Sequence, residues 1–218
     1  MTDNQQLRWN TKELNEIESV TIDHYNSSAD SFWEGTRDHD VSQNIEALLS
    51  SCRAEGPLDI LDFGCGPGRD VKVFKDLGHR PVGLDGSNEF CAMVKKYTGC
   101  PTINQSFLSL DLPPHSFDGI FANASLFHIP SQELPRVLTE LHNALRPEGI
   151  LFSSNPRGTN ELWQGNRYGH YMECPKSVQY LEEAGFEVVQ HYFRPAGKPR
   201  HQQPWLAIVS RAIKHTAA

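Results

Sequence analysis

Short apolar runs alternate with amphipathic segments along most of this chain. The run at 58–63 predicts a buried strand, and Val71, Phe74 and Leu77 after it repeat apolar side chains at the spacing of a helix that ends at position 77. The same alternation continues downstream, and two apolar runs at 186–193 and 204–211 close the pattern. This order predicts a doubly wound α/β sheet of about seven strands, mostly parallel, with an antiparallel C-terminal hairpin.

A glycine-rich turn separates the first predicted strand from its helix. Gly64, Gly66 and Gly68 stand at alternate positions, and Asp62 lies two residues ahead of the first. Glycine lets the chain turn tightly and lets a ligand lie against bare backbone. Asp85 ends the next predicted strand, where a carboxylate can accept hydrogen bonds from ribose hydroxyls. Asp85 fits an NAD site equally well and therefore does not identify the ligand. The G-x-G-x-G spacing, however, differs from the G-x-G-x-x-G fingerprint of dinucleotide sites.

Length and residue usage predict how the chain is organised. The 218 residues predict a single domain at 21–218 behind a flexible N-terminal extension at 1–20. Aromatic and charged side chains crowd the segment after position 25, so 21–57 is expected to form a flap and a helix beside any ligand bound at the glycine turn. The polar and aromatic stretch at 155–173 predicts a long loop on the substrate side, because loops of this length are usually functional or disordered.

Charge and cysteine usage exclude several function classes. A formal net charge of −7 and a pI near 5.8 argue against a nucleic-acid partner, which needs a basic surface. The apolar runs are far shorter than the roughly 20 residues of a membrane span, and the N-terminus lacks a signal-peptide core. Five cysteines without a C-x-x-C pair favour neither a metal site nor disulfides, so we expect a cytoplasmic protein.

The motif Asp62-x-Gly64-x-Gly66-x-Gly68 resembles the first motif of the class I S-adenosylmethionine-dependent methyltransferases. The resemblance implies a Rossmann-like fold whose loop backbone meets the methionine and ribose parts of the cofactor, which leaves as S-adenosylhomocysteine. It places 105–107 at the adenine, although the acidic residue that family members often carry there is missing. The expected cofactor-binding residues are Tyr25, Trp33, Arg37, Asp62, Gly64, Cys65, Gly66, Asp85, Gly86, Ser87, Gln105, Ser106, Phe107 and Asn123. Among these, Arg37 is expected to bind the cofactor carboxylate.

A narrower resemblance lies outside these motifs. The strings F-W-E-G-T-R-D-H-D-V-S-Q-N (32–44), F-A-N-A-S-L-F-H-I-P (121–130), S-N-P-R-G (154–158) and R-Y-G (167–169) are similar to the methyltransferase domain at the C-terminal end of the ovothiol biosynthesis enzyme. This resemblance implies N-methylation of 5-thiohistidine to ovothiol A. In that enzyme the domain follows an iron-dependent sulfoxide synthase region, so we expect this chain to pair functionally with a separate sulfoxide synthase.

An imidazole acceptor needs little acid–base help, because a neutral imidazole nitrogen already carries a lone pair. The other ring nitrogen should donate its N–H to a fixed acceptor, for which Asn123, the candidate catalytic residue, and Asp38 are available. The acceptor's own carboxylate calls for an arginine fork. The expected substrate-binding residues are His128, Asn155, Arg157, Arg167, Tyr168 and Tyr171. His128 has an alternative role, with its ring packed into the turn before a helix.

Three other functions fit the same residues. A different small-molecule acceptor is the nearest, because the fold does not determine the substrate. A nicotinamide-dependent oxidoreductase is a second, which the glycine spacing disfavours. A non-catalytic S-adenosylmethionine-binding module is the third, and the polar and aromatic residues expected beside the transferable methyl group argue against it.

Overall fold

The structure is a computed structural model that describes residues 9–214. Its strands are β1 (Asp59–Phe63), β2 (Arg80–Asp85), β3 (Thr102–Asn104), β4 (Phe117–Asn123), β5 (Leu145–Pro156), β6 (Glu161–Gln164), β7 (Arg167–His170), β8 (Phe186–Arg194) and β9 (Trp205–Ala212). Its α-helices are α1 (Thr11–Ser27), α2 (Ala29–Thr36), α3 (Ser42–Leu49), α4 (Arg69–Asp76), α5 (Asn88–Thr98), α6 (Leu134–Ala144) and α7 (Cys174–Glu183). Short 3₁₀ turns occupy Leu126–His128 and Arg200–Gln202.

Seven strands form one sheet in the order β3-β2-β1-β4-β5-β9-β8. The first five are parallel to one another, and β9 runs antiparallel to both β5 and β8. This arrangement confirms the predicted Rossmann-like sheet with its antiparallel C-terminal hairpin. Because parallel strands end at a common edge, the residues that follow β1, β2 and β4 meet there, which is where ligands bind in open α/β sheets.

Alternate side chains of the central strand β4 pack on opposite faces of the sheet, as the pleat requires. Phe121 belongs to the apolar cluster under α3 and α4, where it stacks on Phe152 with ring centroids 4.9 Å apart and meets Phe74 edge-on at 5.2 Å. Ile120 and Ala122 belong to the cluster under α6 and α7. Both faces of the sheet are therefore buried at its central strands.

The N-terminal prediction needs correction over 11–20. Asn10 and Glu13 form a reciprocal capping box at the start of α1, and Ile17 is only 3% exposed. Further along α1, the Thr21 hydroxyl accepts the Tyr168 backbone N–H, which attaches α1 to β7. The amphipathic spacing in this segment therefore belongs to a packed helix rather than to a flexible extension. Residues 1–8 of that predicted extension lie outside the described part of the chain.

Two other local predictions also differ from the structure. The stretch 155–173 is not an irregular loop, because β6 and β7 pair across it as a short antiparallel hairpin. Leu77, which continues the apolar spacing of α4, is 55% exposed because α4 ends at Asp76. In both places a short sequence pattern is compatible with two local structures, and packing against the rest of the protein selects one of them.

All five cysteines are free thiols, and residues 9–214 contain no cluster of His, Cys, Asp and Glu side chains that could hold a metal ion. Within the same range, none of the helices has both the length and the apolar composition that a membrane crossing requires.

Removing the Phe121 ring tests the packing of the sheet. We expect Phe121→Ala to lower the free energy of unfolding by about 3–5 kcal/mol, because the ring fills space between two other phenylalanines and its loss leaves a cavity. Urea denaturation measures the change. Leu77→Ala is the control and should change stability by less than about 0.5 kcal/mol because its side chain is exposed. Similar losses in both variants would contradict the packing described here.

Candidate active site

A cavity of about 670 Å³ opens at the carboxyl ends of β1, β2 and β4. Helices α1 and α2 cover one side of it, and the ends of β8 and β9 form part of another. The predicted site residues that line it are Tyr25, Trp33, Gly64, Cys65, Gly66, Asp85, Gly86, Ser87, Ser106, Phe107, Asn123, His128 and Arg167. Residues from distant parts of the sequence therefore converge on one enclosed space.

The glycine turn forms the floor of the cavity with bare backbone. Gly64 and Gly66 have φ of +78° and +51°, a region that other residues rarely adopt. A Cβ atom on Gly64 would lie 2.4 Å from Cβ of Ser125, so no side chain fits at this position. The N–H groups of Gly64 and Cys65 donate to the Leu84 carbonyl at 2.8 and 3.0 Å, which joins the turn to β2.

Asp85 lies beside this turn at the end of β2. Its Oδ2 accepts the Gly66 N–H at 3.0 Å, and its Oδ1 accepts the Ser87 N–H at 2.9 Å. Burial raises the pKa of Asp85 to about 6, and the backbone hydrogen bonds oppose that rise. Each carboxylate oxygen keeps a lone pair, so ionised Asp85 can accept two further hydrogen bonds.

Asp62 lies beneath the turn rather than on the cavity wall. It is 2% exposed, and its Oδ2 has no hydrogen-bond partner among the described atoms. Burial, reinforced by the nearby Asp70, raises the pKa of Asp62 well above its usual value. Asp62 therefore lies behind the loop and does not make the direct cofactor contact that the sequence predicted.

The segment that covers the cavity packs its aromatic rings on α5. Tyr25 and Phe32 lie 5.7 and 5.3 Å from the Phe90 ring, measured between centroids, and Trp33 lies 5.1 Å from Tyr97. Tyr97 is nevertheless 49% exposed, so it contributes only one side of its ring. These contacts hold α1 and α2 against α5.

His128 is a neutral ring in one defined tautomer. Its Nδ1 lies 2.7 Å from the Tyr168 carbonyl oxygen, which can only accept, so Nδ1 carries the proton. Its Nε2 is then an acceptor, and the Tyr25 hydroxyl donates to it at 2.9 Å. Burial lowers the pKa of His128 to about 4, which keeps the ring uncharged at neutral pH. Burial also raises the pKa of Tyr25, an effect that the nearby Arg167 opposes.

Two predicted cofactor ligands lie away from the cavity. Arg37 is mostly solvent-facing and pairs with Glu34 at 2.9 Å, because it follows the end of α2 rather than pointing inward. Gln105 uses its side-chain oxygen to accept the Asp111 N–H at 3.0 Å, so it braces its own loop. Neither residue contacts the cavity, and both assignments are corrected.

Four predicted substrate ligands also have structural roles instead. Arg157 pairs with Glu173 at 2.8 Å and donates to the Gln203 carbonyl at 2.7 Å, which holds the β8–β9 loop. Asn155 accepts the Phe127 N–H at 3.2 Å.

The two tyrosines complete this set of corrections. Tyr168 is fully buried and its hydroxyl bonds Glu161. Tyr171 packs on the outer side of Phe127, with ring centroids 5.8 Å apart, and does not line the cavity. The β6–β7 hairpin turns the Tyr168 side chain into the protein, whereas Tyr171 follows β7 and is partly exposed.

Several cavity residues were not predicted from the sequence. Arg69 and Asp70 begin α4 and form a two-point ion pair with distances of 2.7 and 2.9 Å. Their place directly after the glycine turn is a signal that could have identified them. Arg194 lies at the end of β8, and its Nη2 donates to the Asp40 carbonyl at 3.1 Å. No local pattern marks Arg194, because only the sheet topology brings β8 to this edge.

Comparison with known families places this arrangement in context. Residues 61–153 match the family model described as "Methyltransferase domain". The structure superposes on the Burkholderia thailandensis 1,6-didemethyltoxoflavin-N1-methyltransferase, solved with 1,6-didemethyltoxoflavin and S-adenosylhomocysteine, with a TM-score of 0.75 over 98% of both chains. Residues 61–153 therefore match a methyltransferase domain in sequence, and the chain has the fold of such enzymes. At 20% identity, the structural likeness itself establishes the fold.

Relatives in sequence are distant and diverse. The sterol 24-C-methyltransferase of Candida albicans is 22% identical over 205 residues, which cover 84% of this chain and 52% of that protein. The malonyl-[acyl-carrier protein] O-methyltransferase of Pectobacterium atrosepticum is 28% identical over 125 residues, which cover 55% and 49%. The chain thus spans about half the length of the curated relatives it matches.

The residues present fit S-adenosylmethionine, the cofactor of this class. The turn at Gly64 excludes any side chain from the floor of the cavity, and Asp85 offers two acceptor oxygens next to it. These features suit a ligand with ribose hydroxyls and a cationic amino-acid portion.

Protonation of Asp85 should weaken cofactor binding at acidic pH. Ionised Asp85 accepts hydrogen bonds, and protonation below about pH 6 removes acceptor capacity. We therefore expect the Kd for S-adenosylhomocysteine, measured by calorimetry, to rise about tenfold between pH 7.5 and pH 5. Asp85→Asn should bind more weakly at both pH values, with little pH dependence. A wild-type Kd that is constant over this range would contradict the role of the carboxylate.

Proposed function

We propose that the protein is an N-methyltransferase that uses S-adenosylmethionine to methylate a small imidazole amino acid, most specifically 5-thiohistidine, giving ovothiol A. The observation that carries the proposal is a cavity that combines the glycine turn with Arg167. Its volume of about 670 Å³ lies within the range of small-molecule sites, roughly 300–1,000 Å³. Such a space favours a compact acceptor over a macromolecule.

Arg167 supports an acceptor that carries a carboxylate. It lines the cavity, and it forms no ion pair with any carboxylate of the described residues. Arg157, the rival predicted ligand, is occupied by Glu173. An arginine facing an enclosed space without an acidic partner is suited to bind a ligand carboxylate at two points.

The chemistry asks the protein for alignment more than for proton transfer. The bound cofactor supplies a methyl group on a sulfonium centre, and the acceptor nitrogen supplies the electron pair. Such positioning can contribute ~7–11 kcal/mol to catalysis. In this proposal Arg167 holds the acceptor carboxylate, and Asn123 accepts the N–H of the ring nitrogen that is not methylated. Neutral His128, with its low pKa, orients Tyr25 rather than acting as a strong base.

One structural neighbour and the sequence resemblance support a nitrogen as the acceptor atom. The Burkholderia neighbour is named as a 1,6-didemethyltoxoflavin-N1-methyltransferase, and it matches this chain over nearly its whole length. Two of the strings that resemble the ovothiol enzyme lie near the cavity. The string at 32–44 includes part of α2, which covers the cavity, and the string at 121–130 includes the end of β4. A separate sulfoxide synthase that supplies 5-thiohistidine is the partner this proposal calls for, in a cytoplasmic setting.

A second candidate is a function other than methyl transfer on the same fold. The [4+2]-cyclase SpnF matches 94% of this chain with a TM-score of 0.66 and 18% identity. A cofactor-binding module without methyltransferase activity is therefore a concrete alternative. It differs from the proposal in having no turnover with any acceptor.

Direct assay tests the proposed reaction. The protein should convert 5-thiohistidine and S-adenosylmethionine to a singly methylated product, detected by mass spectrometry, while histidine should react far more slowly. Other imidazole, carboxylate and phenol acceptors form the comparison panel. Preference for one of these would replace 5-thiohistidine as substrate, and binding of S-adenosylhomocysteine without any turnover would favour the non-catalytic alternative.

Substitution of Arg167 tests the carboxylate site. We expect Arg167→Gln to raise the KM for 5-thiohistidine roughly tenfold or more, because it removes a charge-assisted hydrogen-bond pair. The affinity for S-adenosylhomocysteine should change little. Arg37→Gln is the matched control, since Arg37 is an exposed arginine outside the cavity, and its kinetics should resemble those of the unmodified protein. Equal losses for both ligands in Arg167→Gln would contradict the assignment.

A further inference from the structure

Asn44 is an amide buried in the apolar face of α3. Its exposure is 0%, and its neighbours on that face, Ile45 and Leu48, belong to the core under the sheet. An amide in such surroundings is costly unless its polar atoms are hydrogen-bonded. Both ends of the Asn44 side chain are bonded, and one of them reaches the cavity residue Asn123.

The bonds form a continuous relay across three elements of the fold. The Tyr192 hydroxyl of β8 donates to Asn44 Oδ1 at 2.9 Å, and Asn44 Nδ2 donates to Asn123 Oδ1 at 3.1 Å. Asn123 Nδ2 then donates to Asp70 Oδ2 at 3.3 Å. Arg69 holds Asp70 in place through its two-point ion pair.

Only one direction of donation satisfies every member of the relay. Ionised Asp70 can only accept, so the atom of Asn123 that faces it is the NH₂ group. The oxygen of Asn123 therefore faces Asn44, which must present its own NH₂ group. Asn44 then turns its oxygen toward Tyr192, whose hydroxyl donates. If the oxygen and nitrogen of the Asn123 amide were exchanged, its oxygen would face the carboxylate of Asp70 and its NH₂ group would face that of Asn44. If those of Asn44 were exchanged, two amide oxygens would face each other.

We propose that Asn44 is a positioning residue that fixes the amide orientation of Asn123 at the acceptor site. One lone pair of Asn123 Oδ1 is occupied by Asn44, and the second remains to accept a hydrogen bond from a ligand N–H. This inference rests on the proposed function for the identity of that ligand, the imidazole N–H of the acceptor. The orientation itself follows from the hydrogen bonds alone.

The isosteric variant Asn44→Asp separates positioning from packing. Its carboxylate keeps the volume and the bond from Tyr192, but it sets an acceptor against Asn123 Oδ1. We expect kcat to fall at least tenfold at pH 8. Burial raises the pKa of a carboxyl group, so the new carboxylate should gain a proton as pH is lowered toward 6. A protonated carboxyl group donates a hydrogen bond as the amide does. The ratio of variant to wild-type kcat should therefore rise as pH falls.

The surroundings of the relay allow this pH readout. The titratable and charged groups near it are Tyr192 and Arg194 from β8, Asp70 and Arg69 from α4, Asp40 ahead of α3, and Asp62 of β1, whose pKa is raised by burial and by the nearby Asp70. Burial raises the pKa of Tyr192 to about 12, so its hydroxyl keeps its proton throughout the assay. The wild-type profile, measured in parallel, corrects for the other groups.

Binding and spectroscopy provide readouts that do not need turnover. In Asn44→Asp, the Kd for S-adenosylhomocysteine should stay within about threefold of wild type. The side-chain NH₂ resonances of Asn123 in ¹⁵N NMR spectra should shift at pH 8. At pH 6 they should return toward their wild-type position. Thr98→Val, which removes another buried polar group at the end of α5, is the control for stability loss and should keep wild-type kcat.

The outcomes distinguish this inference from the proposed function. If wild type methylates a different acceptor, the proposed substrate fails, but the Asn44→Asp loss and its recovery at low pH should persist with that acceptor. If Asn44→Asp does not fold, Tyr192→Phe tests the same relay, with an expected fall in kcat of roughly 2- to 10-fold and shifted Asn44 and Asn123 amide resonances. Unchanged kcat and unchanged Asn123 resonances in the folded variant would overturn the positioning role.

Discussion

The close approach of backbone at Gly64 is the constraint on which the site depends. The turn passes so near Ser125 that a Cβ atom has no space, and its N–H groups bond the Leu84 carbonyl of the neighbouring strand. β1, β2 and the residues after β4 are thereby held together at one edge of the sheet. The same contact leaves a floor of bare backbone against which a nucleoside-type ligand can lie.

Polar groups around this floor are held by the fold before any ligand binds. Asp85 is fixed by two backbone N–H groups, His128 by the Tyr168 carbonyl, and Asn123 by Asn44. Their hydrogen-bond directions are set because a backbone N–H can only donate and a carbonyl can only accept, while the carboxylate of Asp70 fixes the orientation of the Asn123 amide. A methyl transfer that depends on alignment benefits from such preorganisation, since little reorganisation is left for the reaction itself.

The parts of the fold outside the common methyltransferase core shape the rest of the cavity. α1 and α2 supply the aromatic cover, the β6–β7 hairpin supplies Arg167, and the end of β8 supplies Arg194. These elements lie mostly outside residues 61–153, which match the family model. The family-matched part contains the glycine turn and Asp85, and the surrounding parts supply most of the remaining cavity wall.

The sequence by itself determined the sheet, the glycine turn and Asp85, because hydrophobic periodicity and glycine spacing are local properties of the chain. It did not distinguish Arg167, on the cavity wall, from Arg157, which braces a loop, since both lie in one polar and aromatic stretch. Nor did it mark Asn44 or Arg194. Their roles depend on which distant elements lie beside them, and only the tertiary structure decides whether a polar side chain meets a carboxylate, a carbonyl or open space.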